Sequence, residues 1–263
     1  MMAFFYLVME FFQNLSQFFL QTGSYSWLDL VLPLIGPALI LFYTFYLLWA
    51  GRRKNHKIVE KNRELLLDVF SQEFDDLIVD QLSSNGGLLI PRYKGSYSPP
   101  FKDFRVVFAL EERHLMLSVI ISWFSGAKDY IALEANAKKG KIQTKLQIIP
   151  KKEEGQIRKH QDLLFTLDTI TLNVPSLDEY FLIKATSQKS GLFLLGDKDL
   201  LKSIYNNREG LVRISIDSAD DPTIRIYSLI NESLDLRRMY DLFIALCSRV
   251  NFVSERIATR KSR

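Results

Sequence analysis

The sequence predicts an α+β protein with a single transmembrane helix, followed by a cytosolic domain of antiparallel strands covered by helices. Three observations support this fold class: an uncharged apolar segment near the N-terminus, short alternating segments in the middle, and a long amphipathic segment at the end. We expect an extracytoplasmic or interfacial helix at 1–26, a transmembrane helix at 27–50, a basic juxtamembrane helix at 51–82, and the α+β domain at 83–263.

The transmembrane prediction depends on residues 31–50, VLPLIGPALILFYTFYLLWA, which contain no charged side chain. A helix of about twenty residues is about 30 Å long, which matches the hydrocarbon core of a bilayer. A buried core helix of a soluble protein is the alternative, but such a helix seldom runs this far without a polar face. Trp27 and Trp49 lie near the two ends, where aromatic rings prefer the membrane interface.

The charges beside this segment predict its orientation. Basic residues follow it closely, namely Arg52, Arg53, Lys54, Lys57, Lys61 and Arg63, whereas residues 1–30 contain no Lys or Arg. Basic residues near the ends of a membrane helix favour the cytosolic side. We therefore expect the N-terminus outside or in a lumen and the large domain in the cytosol. The membrane would be that of the endoplasmic reticulum in a eukaryote and the plasma membrane in a prokaryote.

Residues 1–26 have a different apolar pattern. Apolar side chains recur at helical spacing, at Phe4, Val8, Phe11, Leu15 and Phe18, and polar side chains lie between them. This pattern predicts an amphipathic helix that lies in the interface or packs on another membrane protein. A cleaved signal peptide is the alternative, but the segment lacks the basic residues that begin such a peptide.

The sequence predicts that strands and helices alternate along the domain. In chain order we expect the helix at 51–82, a loop at 83–101, a strand at 104–110, a short apolar helix at 114–124, a hairpin of strands 130–136 and 141–149, strands at 164–173 and 180–186, a helix at 197–207, strands at 211–216 and 223–230, and a helix at 233–259. Alternation of apolar and polar residues at 141–149 predicts a strand with one buried face.

The final helix carries an apolar seam at alternating three- and four-residue spacing. Its members are Leu236, Met239, Phe243, Leu246, Val250, Val253 and Ile257. A coiled-coil seam has this spacing, and so does a helix packed across a sheet. Leu242, Ile244 and Ala245 widen the apolar face, which favours packing on the sheet.

The sequence predicts no enzyme. It contains no dinucleotide-binding glycine motif, phosphate-binding loop, nucleophile elbow or zinc-protease motif. The single cysteine, Cys247, excludes an internal disulfide and lies in an apolar helix, where a small buried side chain is the expected role. His114 has no Cys or His at metal-ligand spacing. We expect no catalytic, cofactor or metal site.

Basic residues form three groups in the part predicted to be cytosolic, and the net charge of +4 mildly favours an anionic partner. The candidate contact residues are Arg52, Arg53, Lys54 and Lys57 after the membrane helix, Lys138, Lys139, Lys141 and Lys145 on the predicted hairpin, and Arg256, Arg260, Lys261 and Arg263 at the end. Solvated surface is the ordinary reading of such lysines. The functional reading is contact with phosphates of ribosomal RNA or anionic lipid headgroups. No aromatic residues interleave these lysines, so sequence-specific RNA recognition is not expected.

Three stretches resemble the calumin family, the coiled-coil-domain subunit of the multipass translocon of the endoplasmic reticulum. They are GRRKNHKIVEKNRELLLDVF after the membrane helix, FRVVFALEERHLMLSVIISWFSGAKDYIALEANA in the middle, and the region from LLKSIYNNREGLVRISI to the final helix. The family's acidic segment outside the membrane and its long basic coiled-coil tail are absent here. The resemblance implies partners in the Sec translocon, other membrane-insertion subunits and the ribosome, and the missing tail weakens the ribosome part.

Together with the lack of a catalytic motif, the resemblance implies a non-enzymatic factor that assists the insertion or folding of multipass membrane proteins. The alternative is a membrane-anchored adaptor or tether whose basic domain binds anionic lipid or a protein partner. Salt-sensitive association with ribosomes or the translocon would favour the first prediction, and binding of the domain to acidic liposomes would favour the second.

Overall fold

The structure of the chain is a computed structural model. It describes residues 27–83, 85–111, 128–138, 144–155, 166–217, 220–232 and 234–261, together with the single residues 10, 13, 17 and 142. Apart from those at 10, 13 and 17, the residues of the predicted interfacial helix at 1–26 lie outside this set. The predicted apolar helix at 114–124 lies outside it as well.

The first helix, α1, is continuous over Trp27–Val69. Among the described residues, α1 is the one helix that is long and apolar enough to cross a membrane, by length and composition, and it lies near the N-terminus. The helix continues beyond Ala50 because Lys, Arg, Glu and Leu, all good helix formers, dominate the following turns. It ends at a turn in which the amide of Phe74 donates to the carbonyl of Phe70.

The remaining elements alternate along the chain. The strands are β1 (Phe74–Ser83), β2 (Gly86–Tyr93), β3 (Phe101–Ala109), β4 (Tyr130–Ala137), β5 (Leu146–Pro150), β6 (Asp168–Ile170), β7 (Phe181–Ala185), β8 (Leu211–Ile216) and β9 (Thr223–Leu229). The further helices are α2 (Pro175–Tyr180), α3 (Gln188–Leu194), α4 (Lys198–Asn206) and α5 (Leu236–Lys261), with a short 3-10 turn at Lys151–Glu153.

Within the described residues the strands form one nine-stranded sheet in the order β1-β2-β3-β4-β9-β8-β5-β7-β6. Each neighbouring pair is antiparallel. This sheet, its covering helices and the long C-terminal helix confirm the predicted α+β class.

One face of the sheet carries the core. Aligned positions on five neighbouring strands place one row of buried side chains there: Leu133, Ile226, Ile214, Ile148 and Ile183. The second half of α1 packs over β1 and β2, α5 packs over β4 and β9, and α3 packs over β6 and β7. Helix α4 lies against α5. The hydrophobic effect of this shared burial holds the helices on the sheet.

The seam of α5 faces its own sheet. Its members from Leu236 to Val253 are buried, and Phe243 is fully inaccessible to solvent. Ring contacts join Phe243 to Phe101 at 5.4 Å and to Phe104 at 5.4 Å between centroids. The prediction that this helix packs on the sheet, rather than in a coiled coil, is confirmed.

The predicted hairpin of strands 130–136 and 141–149 is wrong. Strand β4 pairs with β3 and β9, whereas β5 pairs with β7 and β8. The predicted strand at 130–136 is present, and the second strand is shorter, at Leu146–Pro150. Sequence proximity favoured a local turn, but β5 is buried along its whole length and lies inside the sheet rather than beside β4.

The predicted helix at 51–82 and loop at 83–101 also need correction. The helix stops at Val69, and residues 74–83 form edge strand β1. Leu77 is buried while Ile78 is 52% exposed, which is the alternation of a strand. Much of the predicted loop is strand β2. Gly86 and Gly87 do not form a turn. They allow close approach of neighbouring atoms, since a Cβ on Gly86 would lie 2.3 Å from the carbonyl oxygen of Phe108.

Other predictions are confirmed or refined. Helix α4 begins as expected at Asp197, whose carboxylate accepts hydrogen bonds from the amides of Asp199 and Leu200. Strand β8 has the predicted bounds. Within the described part of 164–173, only Asp168–Ile170 is a strand. The short helices α2 and α3 were not predicted.

Candidate interaction surfaces

The first part of α1 exposes large apolar side chains around the helix. The exposed fractions are 62% for Leu39, 71% for Phe42, 67% for Phe45 and 60% for Trp49. A core helix of a soluble protein would bury these groups, and only 6% of its most apolar stretch is buried. Such a surface suits a hydrocarbon environment, where apolar side chains need no protein partner.

The next turns of α1 form a basic collar, which we define as Arg52, Arg53, Lys54 and Lys57. All four side chains are exposed. The guanidinium of Arg53 lies 5.1 Å from the centroid of the Trp49 ring. A tryptophan and basic residues at the end of an apolar helix are typical of a headgroup boundary.

The opposite side of these same turns is fixed to the domain. Gly51, Asn55 and Val59, which recur at helical spacing on this side, are buried. The side-chain amide of Asn55 donates to the carbonyl of Glu111 at 2.9 Å. Further along, Arg63 donates to the carbonyl of Leu77 at 2.7 Å. No linker separates the apolar helix from the sheet.

Asp76 reinforces this joint. Its carboxylate accepts hydrogen bonds from the amide of Leu77 at 2.7 Å and from the guanidinium of Arg63 at 2.8 Å. These two donors, the Leu77 amide first, hold the pKa of Asp76 below its ordinary value. The group is partly exposed, so the effect is screened by solvent.

We expect Asp76→Asn to lower the melting temperature of the protein at pH 7 more than at pH 3. A carboxylate with a lowered folded-state pKa contributes stability above its unfolded pKa of about 3.9, and that contribution is lost as pH falls through the folded pKa. Thermal unfolding at both pH values measures this. The matched control is Asp75→Asn at the exposed neighbouring position. Equal losses for Asp76→Asn at pH 7 and pH 3 would contradict the role of the ionised form.

The strands give the domain two distinct ends. At one end, which we call the anchor end, Asn55 meets Glu111 just after β3, and the amide of Glu111 donates to Asp129 just before β4. Strand β3 runs from there to Phe101 at the far end, a length of roughly 30 Å at the usual rise per residue. Helix α1 runs in the same direction. Val59 lies beside Gly87 near the anchor end, and Phe70, eleven residues later, contacts Phe74 near the far end.

This geometry separates the predicted basic groups. The collar lies at the anchor end, whereas Lys138 follows β4 and Lys145 precedes β5 at the far end. Both lysines are exposed, and so is Arg256. Lys139, Lys141 and Arg263 lie outside the described residues; Arg260 and Lys261 belong to α5, but their side chains are not described.

Two of the predicted groups meet at the far end, in what we call the far-end groove. It has a volume of about 640 Å³ and lies between the segment Tyr97–Pro100 and the last turns of α5. Lys138 lines one side, and Ile244, Ser248 and Phe252 line the helix side. The amide of Asn251 donates to the carbonyl of Pro100, and the ammonium of Lys138 donates to the hydroxyl of Ser98 at 3.1 Å. These bonds fix the wall of the groove against the helix.

Phe252 is the central exposed group of this end. It is 41% exposed, and it is the one aromatic among the large exposed apolar side chains that the structure describes after residue 50. The guanidinium of Arg256 lies 4.5 Å from its ring centroid and that of Arg249 lies 5.3 Å from it. Arg249 also donates to the carbonyls of Phe193 and Leu194 and so caps the end of α3.

The face of the sheet opposite the core carries ionic pairs. Glu134 is bonded to Arg105 at 2.7 Å and to Arg225 at 3.1 Å, and Arg225 also pairs with Asp217. Cross-strand pairs of this kind stabilise a sheet locally. Because these charges satisfy one another, this face offers less to a charged partner than the far end does.

The cysteine has the environment that the sequence predicts. Cys247 is fully buried in α5, and desolvation raises the pKa of its thiol well above the ordinary value. A thiol held protonated in this way is a poor nucleophile. Among the described residues, no group of three or more His, Cys, Asp or Glu side chains could hold a metal ion.

No family model matches the chain, and no curated protein matches it significantly in sequence. The far-end groove was missed by the sequence analysis, which considered the basic residues and not Phe252. Its signal in the sequence is weak, because Phe252 lies off the apolar seam between buried Val250 and Val253. The contact between the hydroxyls of Tyr97 and Tyr240, which lie 3.0 Å apart, was also missed, because the two residues are 143 positions apart in the sequence.

Proposed function

We propose that the protein is a non-enzymatic, membrane-anchored docking protein that assists the insertion or folding of multipass membrane proteins beside the Sec translocon. The apolar part of α1 spans the membrane, the N-terminus lies outside or in the lumen, and the sheet domain lies in the cytosol. The collar contacts anionic lipid headgroups, and the far end meets a cytosolic partner, with the ribosome as the partner class that the family resemblance implies.

The observation that carries this proposal is the direct joint between α1 and the domain. An exposed apolar helix enters the sheet domain with no linker, and Asn55 is bonded to Glu111 only five positions after Ala50. A joint without a linker holds the domain at a fixed distance from the membrane, which suits a docking protein. The far-end groove would thereby be held roughly 30 Å from the headgroups.

The biogenesis role draws its support from the resemblance to the calumin family in the stretches quoted above. The described parts of those stretches include the joint at Gly51, strands β3 and β4, and helix α5. Their order, with a membrane helix, a basic step and an α+β domain, suits a translocon-associated protein. The collar supports the proposed cytosolic orientation of the domain.

A lipid tether is the second candidate, and the exposed collar favours it. The tether hypothesis requires that the basic residues of the domain also contact the membrane that α1 spans. Lys138, Lys145 and Arg256 lie at the far end, so they cannot reach the headgroups that surround Arg52 while α1 spans the bilayer. We therefore exclude Lys138, Lys145 and Arg256 from lipid contact and assign the far end to a protein or ribosomal partner.

Two measurements on the full chain in native membranes test the proposal. Protease added to sealed inside-out vesicles should digest the domain and spare the apolar part of α1. Purification from the same membranes in mild detergent should recover translocon or insertion subunits. Protection of the domain from protease would reverse the orientation, and recovery of no insertion subunit would remove the biogenesis role.

The collar offers a matched comparison for lipid contact. In nanodiscs, changing Arg52, Arg53, Lys54 and Lys57 to Glu should abolish the preference of the protein for anionic over zwitterionic lipid. Changing the exposed far-end lysines, Lys138 and Lys145, to Glu should leave that preference unchanged, since they lie at the other end of the sheet. An equal loss in both variants would restore the tether reading.

A further inference from the structure

The far-end groove is an open depression whose helix side is long enough to contact about three turns of another helix. Its helix side is formed by α5 from Ile244 to Glu255, which spans about 16 Å or three turns. The small side chain of Ser248 lies in the middle of this side, and Phe252 lies beyond it with 41% of its surface exposed. The opposite wall includes Pro99 and Pro100, whose backbone has a restricted φ.

The charges at the groove favour an acidic occupant. Lys138 lines the groove and the guanidinium groups of Arg249 and Arg256 lie over the Phe252 ring, so these three cations outnumber Glu255, the one carboxylate among the described lining residues. The exposed Arg256 rests its guanidinium on the Phe252 ring at 4.5 Å. A cation on an apolar ring remains able to meet an acidic side chain of a partner.

The apolar lining favours protein over RNA. Recognition of single-stranded RNA needs an open aromatic face on which a base can stack. Two guanidinium groups already lie over the Phe252 ring, and the groove beside it is lined by Ile244, Tyr97 and two prolines. Such a lining suits an apolar side chain of a helix, as in other helix-in-groove interactions.

We infer that the far-end groove binds an amphipathic helix of a protein partner, with apolar residues against Phe252 and Ile244 and acidic residues against Lys138 and Arg256. This inference rests on the proposed docking function and names the partner chemistry at its cytosolic end. Phe252 is the anchoring contact, because it is the large apolar group that burial would remove from water.

Site-specific photocrosslinking of the full chain in native membranes tests the inference. A benzophenone amino acid replaces Phe252 in one protein and Leu192, which is 38% exposed on α3, in the control protein. We expect the crosslinker at 252, and not at 192, to capture a peptide with acidic residues and helical apolar periodicity. Capture of RNA at 252, or the same products from both positions, would overturn the inference.

Charge and shape variants make the test specific. Lys138→Glu combined with Arg256→Glu should reduce the crosslink at 252 roughly tenfold, whereas Lys151→Glu combined with Lys189→Glu, at exposed positions elsewhere, should leave it unchanged. Ser248→Arg should block the groove while Phe252 stays in place. Equal yields across these variants would show that the groove is not the contact.

The outcomes separate the inference from the proposed function. If Phe252 captures an acidic helix from a protein with no part in membrane insertion, the groove stands and the biogenesis role fails. If translocon subunits co-purify with the protein while Phe252 captures no more than Leu192 does, the biogenesis role stands and the groove assignment fails.

Discussion

Replacing Phe243 by alanine should lower the free energy of unfolding by about 3–5 kcal/mol, the usual cost of removing a buried phenylalanine. Phe243 is fully inaccessible, and its ring contacts those of Phe101 and Phe104. The substitution would leave a cavity between α5 and the strands beneath it. For a domain of this size the melting temperature should fall by about 10 °C.

Thermal unfolding of the full chain in detergent, followed by near-ultraviolet circular dichroism, measures this loss. Phe252→Ala on the same helix is the matched control, since the ring is 41% exposed and its loss should cost about 1 kcal/mol or less. If the two variants unfolded at the same temperature, the seam of α5 would not be the face that packs on the sheet.

Replacing Gly86 by alanine should cost about 3 kcal/mol or more, because the added methyl group meets backbone rather than a movable side chain. A Cβ at this position would lie 2.3 Å from the carbonyl oxygen of Phe108 on β3. Strands β2 and β3 begin their pairing here, where Gly86 lies opposite Ala109. Relief of the clash requires these strands to separate at the anchor end.

Gly95 provides the control for this substitution, since a Cβ there meets nothing within 4 Å. Gly95→Ala should leave stability unchanged or raise it slightly through the unfolded state. Hydrogen exchange adds a local measurement, because Gly86→Ala should speed exchange of amides in β2 and β3 more than in β8 and β9. Uniform protection in the Gly86→Ala variant would mean that the strand pair absorbs the methyl group.

Elements with strong local signals could be predicted from the sequence. Helix α5 has an apolar seam over several turns, and α4 has Asp197 as its cap, so both were identified with nearly correct bounds. Strand β8 also matched, since apolar residues end at the turn that follows Ile216.

Elements defined by distant partners could not be predicted. Phe70, Phe74 and Leu77 fit a helical spacing by coincidence, so β1 was read as a continuation of α1. The two glycines at the start of β2 suggested a loop, whereas their role is close approach to β3 and α1. The residues that pair with strand β5 are 31 or more positions away in the sequence, and no local pattern encodes that pairing.

The two candidate surfaces also differ in whether the sequence could predict them. The collar could be predicted, because its residues are adjacent in sequence and follow an apolar segment. The far-end groove could not, because it joins Lys138 to Phe252 across more than a hundred residues of chain. Its existence depends on where α5 crosses the sheet, which the sequence pattern alone does not specify.

Because no linker separates α1 from the domain, the helix and the domain tilt together. With α1 in a bilayer, any tilt of the helix swings the whole domain about the point where Asn55 meets Glu111. A tilt of about 20°, average for membrane helices, would move a site roughly 30 Å away sideways by about 10 Å. The thickness of the surrounding membrane, which sets helix tilt, would then also set the position of the far end of the domain over the cytosolic surface.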